Sequence, residues 1–143
     1  MLHLSKLADY ATVLMCRMAA QPDIACSAAK LAAALEVPRP TVAKLLKLLA
    51  RARLLTSVRG GKGGYLLARS PAAISLADVI TAIEGPPGLT ECITSPGTCS
   101  IESSCDMRRN WSAINSVVVG ALAGVSLAQI GTAQMPLHKM ASR

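Results

Sequence analysis

The chain has 143 residues and a formal charge of +7, and 52% of its residues are hydrophobic while only 2% are aromatic. This length fits one domain, or one domain with an appendage. The hydrophobic content excludes long disorder, and the scarcity of aromatic rings argues against nucleic-acid modules that stack bases. No charged-then-apolar leader opens the sequence, so we expect a cytoplasmic protein with reduced cysteines.

The positive charge is concentrated in the first half of the chain. Residues 1–70 carry 11 basic and three acidic side chains, whereas residues 71–143 carry four basic and five acidic ones. A basic half suggests a polyanionic partner, because each phosphate that is neutralised releases counterions. A merely solvated surface is the alternative.

Apolar spacing in the first half predicts three helices. The first covers residues 4–20, the second covers 28–35 with Ser27 as its cap, and the third runs from about 40 to 53. We expect residue 39 to be extended and Pro40 to take the first position of the third helix. A short helix, a tight turn and a helix with a basic outer face form the layout of a helix-turn-helix.

Residues 54–58 and 65–68 are short β-like runs on either side of a basic, glycine-rich tip, which predicts a hairpin or wing after the third helix. A nucleotide-binding loop is rejected, because Lys62 is followed by glycines and a strand-like run instead of Ser or Thr opening a helix. The third helix and the wing together supply the candidate double-stranded DNA contacts. These are Arg39, Thr41, Lys44, Lys47, Arg51, Arg59 and Lys62.

The second half begins with a predicted helix over residues 75–84 and an irregular segment over 89–107. A last helix is predicted from about 108 to 130, and no charged residue occurs between Arg109 and Lys139. A membrane span is the alternative for this stretch, but polar residues interrupt it, so we favour burial against another subunit. The expected seam, which is the row of residues that would pack against a partner helix, consists of Ile114, Val118, Ala121, Val125 and Ala128.

Three of the five cysteines, Cys92, Cys99 and Cys105, follow one another with the spacing C-x6-C-x5-C. Thiolates suit zinc or an iron–sulfur cluster, and the wide spacing without a C-x-x-C pair favours a cluster. Zinc and a thiol redox switch stay open as alternatives. Cys16 and Cys26 are more typical of buried apolar groups. No catalytic set is visible, so we expect neither an enzyme nor a small-molecule substrate.

Several of these segments resemble the Rrf family of winged-helix transcriptional regulators, which includes IscR and NsrR. The matching residues include the wing motif Arg59-Gly60 with Gly63-Gly64-Tyr65, the three cysteines, and the segments 4–11, 40–46 and 76–80. Within the family, Thr90-Glu91-Cys92 and Asn110-Trp111 resemble the SUF-system regulators of iron–sulfur assembly. The resemblance covers about residues 2–130.

The resemblance implies a mainly α fold with a small β-hairpin wing, a long dimerisation helix and a homodimer on DNA. It divides the chain into a winged helix-turn-helix domain (1–85), a cysteine-bearing cluster loop (86–107), a dimerisation helix (108–131) and a mobile tail (132–143). The implied function is an iron–sulfur cluster-sensing regulator, a repressor of iron–sulfur assembly genes. A nitric oxide or redox-responsive repressor with other target genes is the alternative.

The resemblance also implies a ligand set. Cys92, Cys99 and Cys105 would hold a 2Fe–2S or 4Fe–4S cluster, and Asp9 stands where some members supply a fourth ligand from the partner's first helix. Asp9 would otherwise be a first-turn acid that favours the helix N-terminus. The sequence departs from IscR in two ways. Arg108 stands where IscR has a histidine ligand, and the gap between the first two cysteines, Cys92 and Cys99, is one residue longer. Glu91 and Asp106 stay open as alternatives to Asp9 for the fourth ligand.

Overall fold

The computed structural model describes residues 3–61 and 63–131. Over these residues the fold is mainly helical with a two-stranded antiparallel hairpin, which confirms the predicted fold class. The elements are α1 (Lys6–Ala19), α2 (Ala28–Leu35), α3 (Arg39–Arg51), β1 (Leu55–Val58), β2 (Gly64–Leu67), α4 (Leu76–Glu84), α5 (Glu91–Thr94), α6 (Arg108–Ala123) and α7 (Leu127–Gly131). The predicted mobile tail, 132–143, lies outside the described residues.

Serine caps fix where the first two helices begin. The Ser5 hydroxyl accepts from the backbone N–H of Ala8, and the Ser27 hydroxyl accepts from that of Lys30. Each bond satisfies one of the N–H groups that a helix start leaves without a partner. The second cap and the bounds of α2 are as the sequence predicts.

The turn between α2 and α3 is built from a left-handed residue and two prolines. Glu36 has φ 53° and ends α2, and Pro38 occupies the N-cap position of α3. The prediction for the next two residues is wrong, because Arg39 is the first helical residue and Pro40 the second. A proline is tolerated at either position, since no N–H in the first turn has a partner within the helix.

The hydrophobic core joins α1, α3 and α4. The four inward residues predicted for α3 are no more than 1% exposed, and they pack with buried residues of α1 such as Leu14 and Met15. The α3 residues are Val42, Leu45, Leu46 and Leu49. Burial of one face leaves the other face of α3 free to carry its polar side chains.

The wing is fastened to the segment that precedes α2. Strands β1 and β2 pair from Leu55↔Leu67 to Val58↔Gly64. Cys26 adds an isolated bridge at the edge of β2, where its N–H and carbonyl each bond Tyr65 at 2.9 Å. The hairpin is therefore held by backbone hydrogen bonds on both sides of β2.

The last predicted helix is divided in two. Helix α6 ends at Ala123 and α7 begins at Leu127, whereas one helix was expected to reach about residue 130. Between them the chain pairs with the start of α4: Leu76 N–H donates to Val125 O at 2.8 Å, and Leu127 N–H donates to Ile74 O at 2.9 Å. Val125 is 7% exposed and Leu127 is fully buried, so burial in the core outweighs continuation of the helix.

The break also corrects the predicted seam. Val125 is buried within its own chain, and Val118 lines a cavity of about 310 Å³ between α6, α4 and the N-terminal segment. The apolar face that α6 leaves exposed instead follows Ile114, Val117 and Ala121, and it continues to Gly124, the C-cap of the helix. Val117 is 72% exposed. Among the described residues no helix has both the length and the apolar character needed to cross a membrane.

Candidate DNA-binding face and cysteine loop

Helix α3 presents an exposed basic face. Arg39, Lys44, Lys47 and Arg51 are exposed, while Thr41 is half-buried. Lys44, Lys47 and Arg51 line one shallow groove together with Pro40, Ala43 and Leu48. The sequence therefore placed these cations on one side correctly, although it did not anticipate the partial burial of Thr41.

Within the described part of the chain, these basic groups form no ion pair with a carboxylate. The two ion pairs found within residues 3–61 and 63–131 join Arg69 to Asp78 and Arg108 to Glu102. Arg59, which directly follows β1, is likewise exposed. Unpaired cations on a helix and an adjoining hairpin can neutralise phosphates without first breaking an ion pair. Lys62 lies outside the described residues, so its predicted role stays a prediction.

Sequence reasoning missed a further cation beside the wing. Lys30 lines a cavity with Gly61 and Gly63 of the wing tip and with Ser27, the cap of α2. Lys30 lies in the basic half of the chain, which was the available signal. Its approach to the wing depends on the bridge between Cys26 and Tyr65, and no local pattern predicts such a long-range pairing.

The three cysteines of the second half lie in one loop between α4 and α6. Cys92 belongs to α5, Cys99 lies in the following turn, and Cys105 comes directly after the 3₁₀ turn Glu102–Ser104. All three are half-buried free thiols. The Thr90 hydroxyl lies 3.2 Å from the Cys92 sulfur, within hydrogen-bonding distance.

Asn115 of α6 anchors the start of this loop. Its side-chain oxygen accepts from Leu89 N–H at 3.0 Å, and its side-chain nitrogen donates to Pro87 O at 3.2 Å. In the sequence, Asn115 is one of the polar residues that interrupt the apolar stretch after Arg109. A side-chain amide can both accept and donate a hydrogen bond, so it can pair with a backbone N–H and a backbone C=O at once. The two bonds of Asn115 therefore hold the chain against α6 at Leu89, three residues before Cys92.

The described residues of one chain do not gather these donors into a metal site. They contain no group of three or more His, Cys, Asp or Glu side chains placed to hold one ion, so no three of the predicted donors meet at one point. Asp9 is exposed in the first turn of α1. The donor chemistry nevertheless fits an iron–sulfur cluster, since three free thiols share one partly exposed loop.

Cys16 and Cys26 have the structural role that the sequence predicts. Both are half-buried and pack against the hydrophobic core. Burial raises the pKa of the Cys16 thiol above its ordinary value of 9.0, because desolvation penalises the thiolate. This environment favours the neutral thiol, which is the poorer nucleophile and the poorer metal ligand.

The helix-turn-helix, the wing and the exposed basic face of α3 define a winged-helix transcriptional regulator. A family model described as "Rrf2: Iron-dependent Transcriptional regulator" matches residues 4–133. The chain belongs to this Rrf2 family, whose members act on DNA as dimers. Because its relatives are transcriptional regulators, the expectation that it is not an enzyme is confirmed.

Individual relatives agree with this assignment. A protein of Aquifex aeolicus (strain VF5), named "Putative HTH-type transcriptional regulator", is 25% identical over 120 residues, which cover 82% of this chain and 83% of that protein. CymR, the global cysteine regulator of B. subtilis, has a TM-score of 0.76 at 25% identity, covering 94% of this chain and 99% of CymR. IscR of T. potens has a TM-score of 0.69 at 26% identity, covering 98% of this chain and 96% of IscR.

Proposed function

We propose that this protein is an iron–sulfur cluster-sensing DNA-binding regulator that represses iron–sulfur cluster assembly genes. The observation that carries the proposal is the loop with three free, half-buried thiols, Cys92, Cys99 and Cys105, anchored to α6 by Asn115. The description of the family as iron-dependent supports it. The target genes come from the resemblance of Thr90-Glu91-Cys92 and Asn110-Trp111 to the SUF-system regulators.

DNA binding is assigned to α3 and the wing. Lys44, Lys47 and Arg51 would enter or flank the major groove, with Arg39 and Thr41 at the start of the helix. Arg59 and Lys62 would contact phosphates from the wing. The exposed, unpaired state of the described α3 cations and Arg59 supports this arrangement.

The dimer interface is assigned to α6. Its exposed face combines Ile114 and Val117 with the small residues Ala121 and Gly124, which let two helices approach closely. Because α6 also holds the cysteine loop, a change in the loop can alter how two subunits pair. The spacing of the two recognition helices would then change, and a palindromic operator requires a fixed half-site separation.

The cysteine thiolates would hold the cluster, with Asp9 of the partner's first helix as the proposed fourth ligand. When bound, a cluster supplies a centre that oxygen or nitric oxide damages and iron limitation depletes. The oxygen ligand would be weaker than a thiolate toward iron and easier to displace, which suits a sensor.

The test is anaerobic purification followed by a visible spectrum and iron and sulfide counts. We expect coloured protein, and we expect Cys92→Ala, Cys99→Ala and Cys105→Ala each to abolish the colour. Cys16→Ala is the matched control and should keep it, because Cys16 packs on the core. Asp9→Ala should shorten the lifetime of the colour in air. Colourless, iron-free wild-type protein would refute the cluster.

A thiol switch is the second candidate. Two observations favour it: Cys92, Cys99 and Cys105 are free, half-buried thiols, and the structurally similar CymR of Staphylococcus aureus is described in an oxidized form. A thiol-switch repressor would lack iron, and its operator affinity would change on treatment with peroxide and recover with a thiol reductant. The same preparation therefore separates the two functions.

A further inference from the structure

The cysteine loop contains an acidic residue that the sequence analysis did not single out. The side chain of Glu102 is only 11% exposed. Its Oε2 accepts a hydrogen bond from Gly97 N–H at 2.7 Å, and its Oε1 lies 3.0 Å from Nη2 of Arg108. Each carboxylate oxygen therefore has a partner, one in the loop and one at the start of α6.

These two contacts enclose two of the cysteines. Gly97 precedes Cys99 by two residues, and Arg108 follows Cys105 by three and begins α6. Backbone bonds complete the network, since Glu102 N–H donates to Cys99 O at 3.1 Å and Arg108 N–H donates to Cys105 O at 3.3 Å. Gly97 has φ 88°, a conformation that favours glycine and presents its N–H to the carboxylate.

We propose that Glu102 is a positioning residue that fixes Cys99 and Cys105 relative to the start of α6. The inference deepens the proposed function and rests on it for its purpose, because it couples the state of the cysteine loop to the proposed dimerisation helix. Cys92 is outside this network and is held instead through Thr90 and the Asn115 anchor.

The contacts of Glu102 differ in strength. The bond from Gly97 N–H is short and ends on a carboxylate with little solvent exposure, which makes it a strong charge-assisted bond. The side chain of Arg108 is 55% exposed, so solvent and salt screen its ion pair. Replacing Glu102 by Gln preserves an acceptor for Gly97 but removes the charge and places an N–H donor opposite Arg108, so only the ion pair is lost, whereas replacement by Ala removes both contacts.

The test is residue-resolved alkylation of the metal-free, full-length protein, followed by mass spectrometry. We expect Glu102→Ala to raise the rates at Cys99 and Cys105 by about fivefold or more, because these residues lose their fixed position. Cys92 should change by less than about twofold. Glu102→Gln should fall between wild type and Glu102→Ala, and Arg108→Ala should resemble Glu102→Gln. Ser103→Ala, in the same turn, is the control and should match wild type.

Cys16 reports whether each variant is folded, because it packs on the core outside the loop. If Cys16 also reacts faster in Glu102→Ala, the folded Glu102→Gln variant decides the question. Unchanged rates at Cys99 and Cys105 in a folded Glu102→Ala, or in Glu102→Gln where Glu102→Ala does not fold, would overturn the positioning role. After anaerobic loading, Glu102→Ala should also lose its visible absorbance in air sooner than wild type. Wild-type protein without iron and sulfide would instead refute the proposed function, while the alkylation result would still stand.

Discussion

Gly64 lies where the wing approaches the backbone that leads into α2. A Cβ atom at this position would lie 2.5 Å from Cys26 O, closer than real contacts allow. Its φ of 158° is also rare for other residues. The glycine is therefore required by the bridge between Cys26 and Tyr65, which ties the wing to the rest of the domain.

We predict that Gly64→Ala destabilises the protein by about 1–3 kcal/mol, because the added methyl group forces the wing away from Cys26. Chemical unfolding followed by circular dichroism measures the loss. Gly61→Ala is the matched control, since a Cβ atom at Gly61 would meet nothing within 4 Å. Equal stabilities for the two variants would contradict the close approach.

Cys16 provides a prediction about pH. Because burial raises the pKa of its thiol, the folded chain holds this proton more tightly than the unfolded chain. The resulting stabilisation is complete below the ordinary thiol value of 9.0 and is lost as the pH rises through the higher pKa of the folded state.

We expect the alkylation rate of Cys16 to reach its half-maximum above pH 9.0 in the folded protein, and near pH 9.0 in urea. Mass spectrometry of the Cys16 peptide across a pH series measures both midpoints. The stability of Cys16→Ala should also fall less steeply than that of wild type above this pH. Identical midpoints with and without urea would show that burial does not perturb this thiol.

Helix α3 separates its two tasks by face. Val42, Leu45, Leu46 and Leu49 are buried and hold the helix in the core, while Lys44 and Lys47 are exposed and form no ion pair among the described residues. Removal of an exposed cation should therefore alter binding to DNA without altering the fold.

We predict that Lys44→Ala weakens operator binding several-fold and reduces the slope of log K against log salt by about 1, as expected for the loss of one phosphate contact. Fluorescence anisotropy with labelled operator at several salt concentrations measures both quantities. Arg17→Ala, an exposed cation in the last turn of α1, is the control and should keep the wild-type slope. An unchanged slope for Lys44→Ala would exclude Lys44 from the phosphate contacts.

In the proposed dimer, two subunits pair through the exposed apolar face of α6. A monomer would leave Val117 72% and Ile114 43% exposed to water. Pairing with a second copy removes this surface from water, which accounts for the absence of charged residues on the helix after Arg109.

We predict that Val117→Glu weakens the dimer by about 100-fold or more, because it places an unpaired charge in the interface. Size-exclusion chromatography with light scattering across protein concentrations measures the change. Ser112→Glu, on the other side of the same helix, should remain dimeric. A fully dimeric Val117→Glu would move the interface away from this face.

Local patterns in the sequence predicted most of the fold. Apolar spacing located α1 to α4, the cap at Ser27 fixed the start of α2, and the glycine-rich tip predicted the hairpin. The three cysteines and the basic face of α3 were also visible, because ligand chemistry and helical periodicity are local properties. Whether the cluster and the cytoplasmic location are correct stays a prediction.

Long-range contacts decided the rest. Helix α6 ends early because Val125 and Leu127 gain more from burial beside Ile74 and Leu76 than from another helical turn. The same packing turns Val118 toward α4 and exposes Val117, which reverses part of the predicted seam. Asn115 and Glu102 acquire their roles from their hydrogen-bond and ion-pair partners in the cysteine loop and in α6. No periodic pattern in the sequence predicts these contacts, because they form only when the loop packs against the helix.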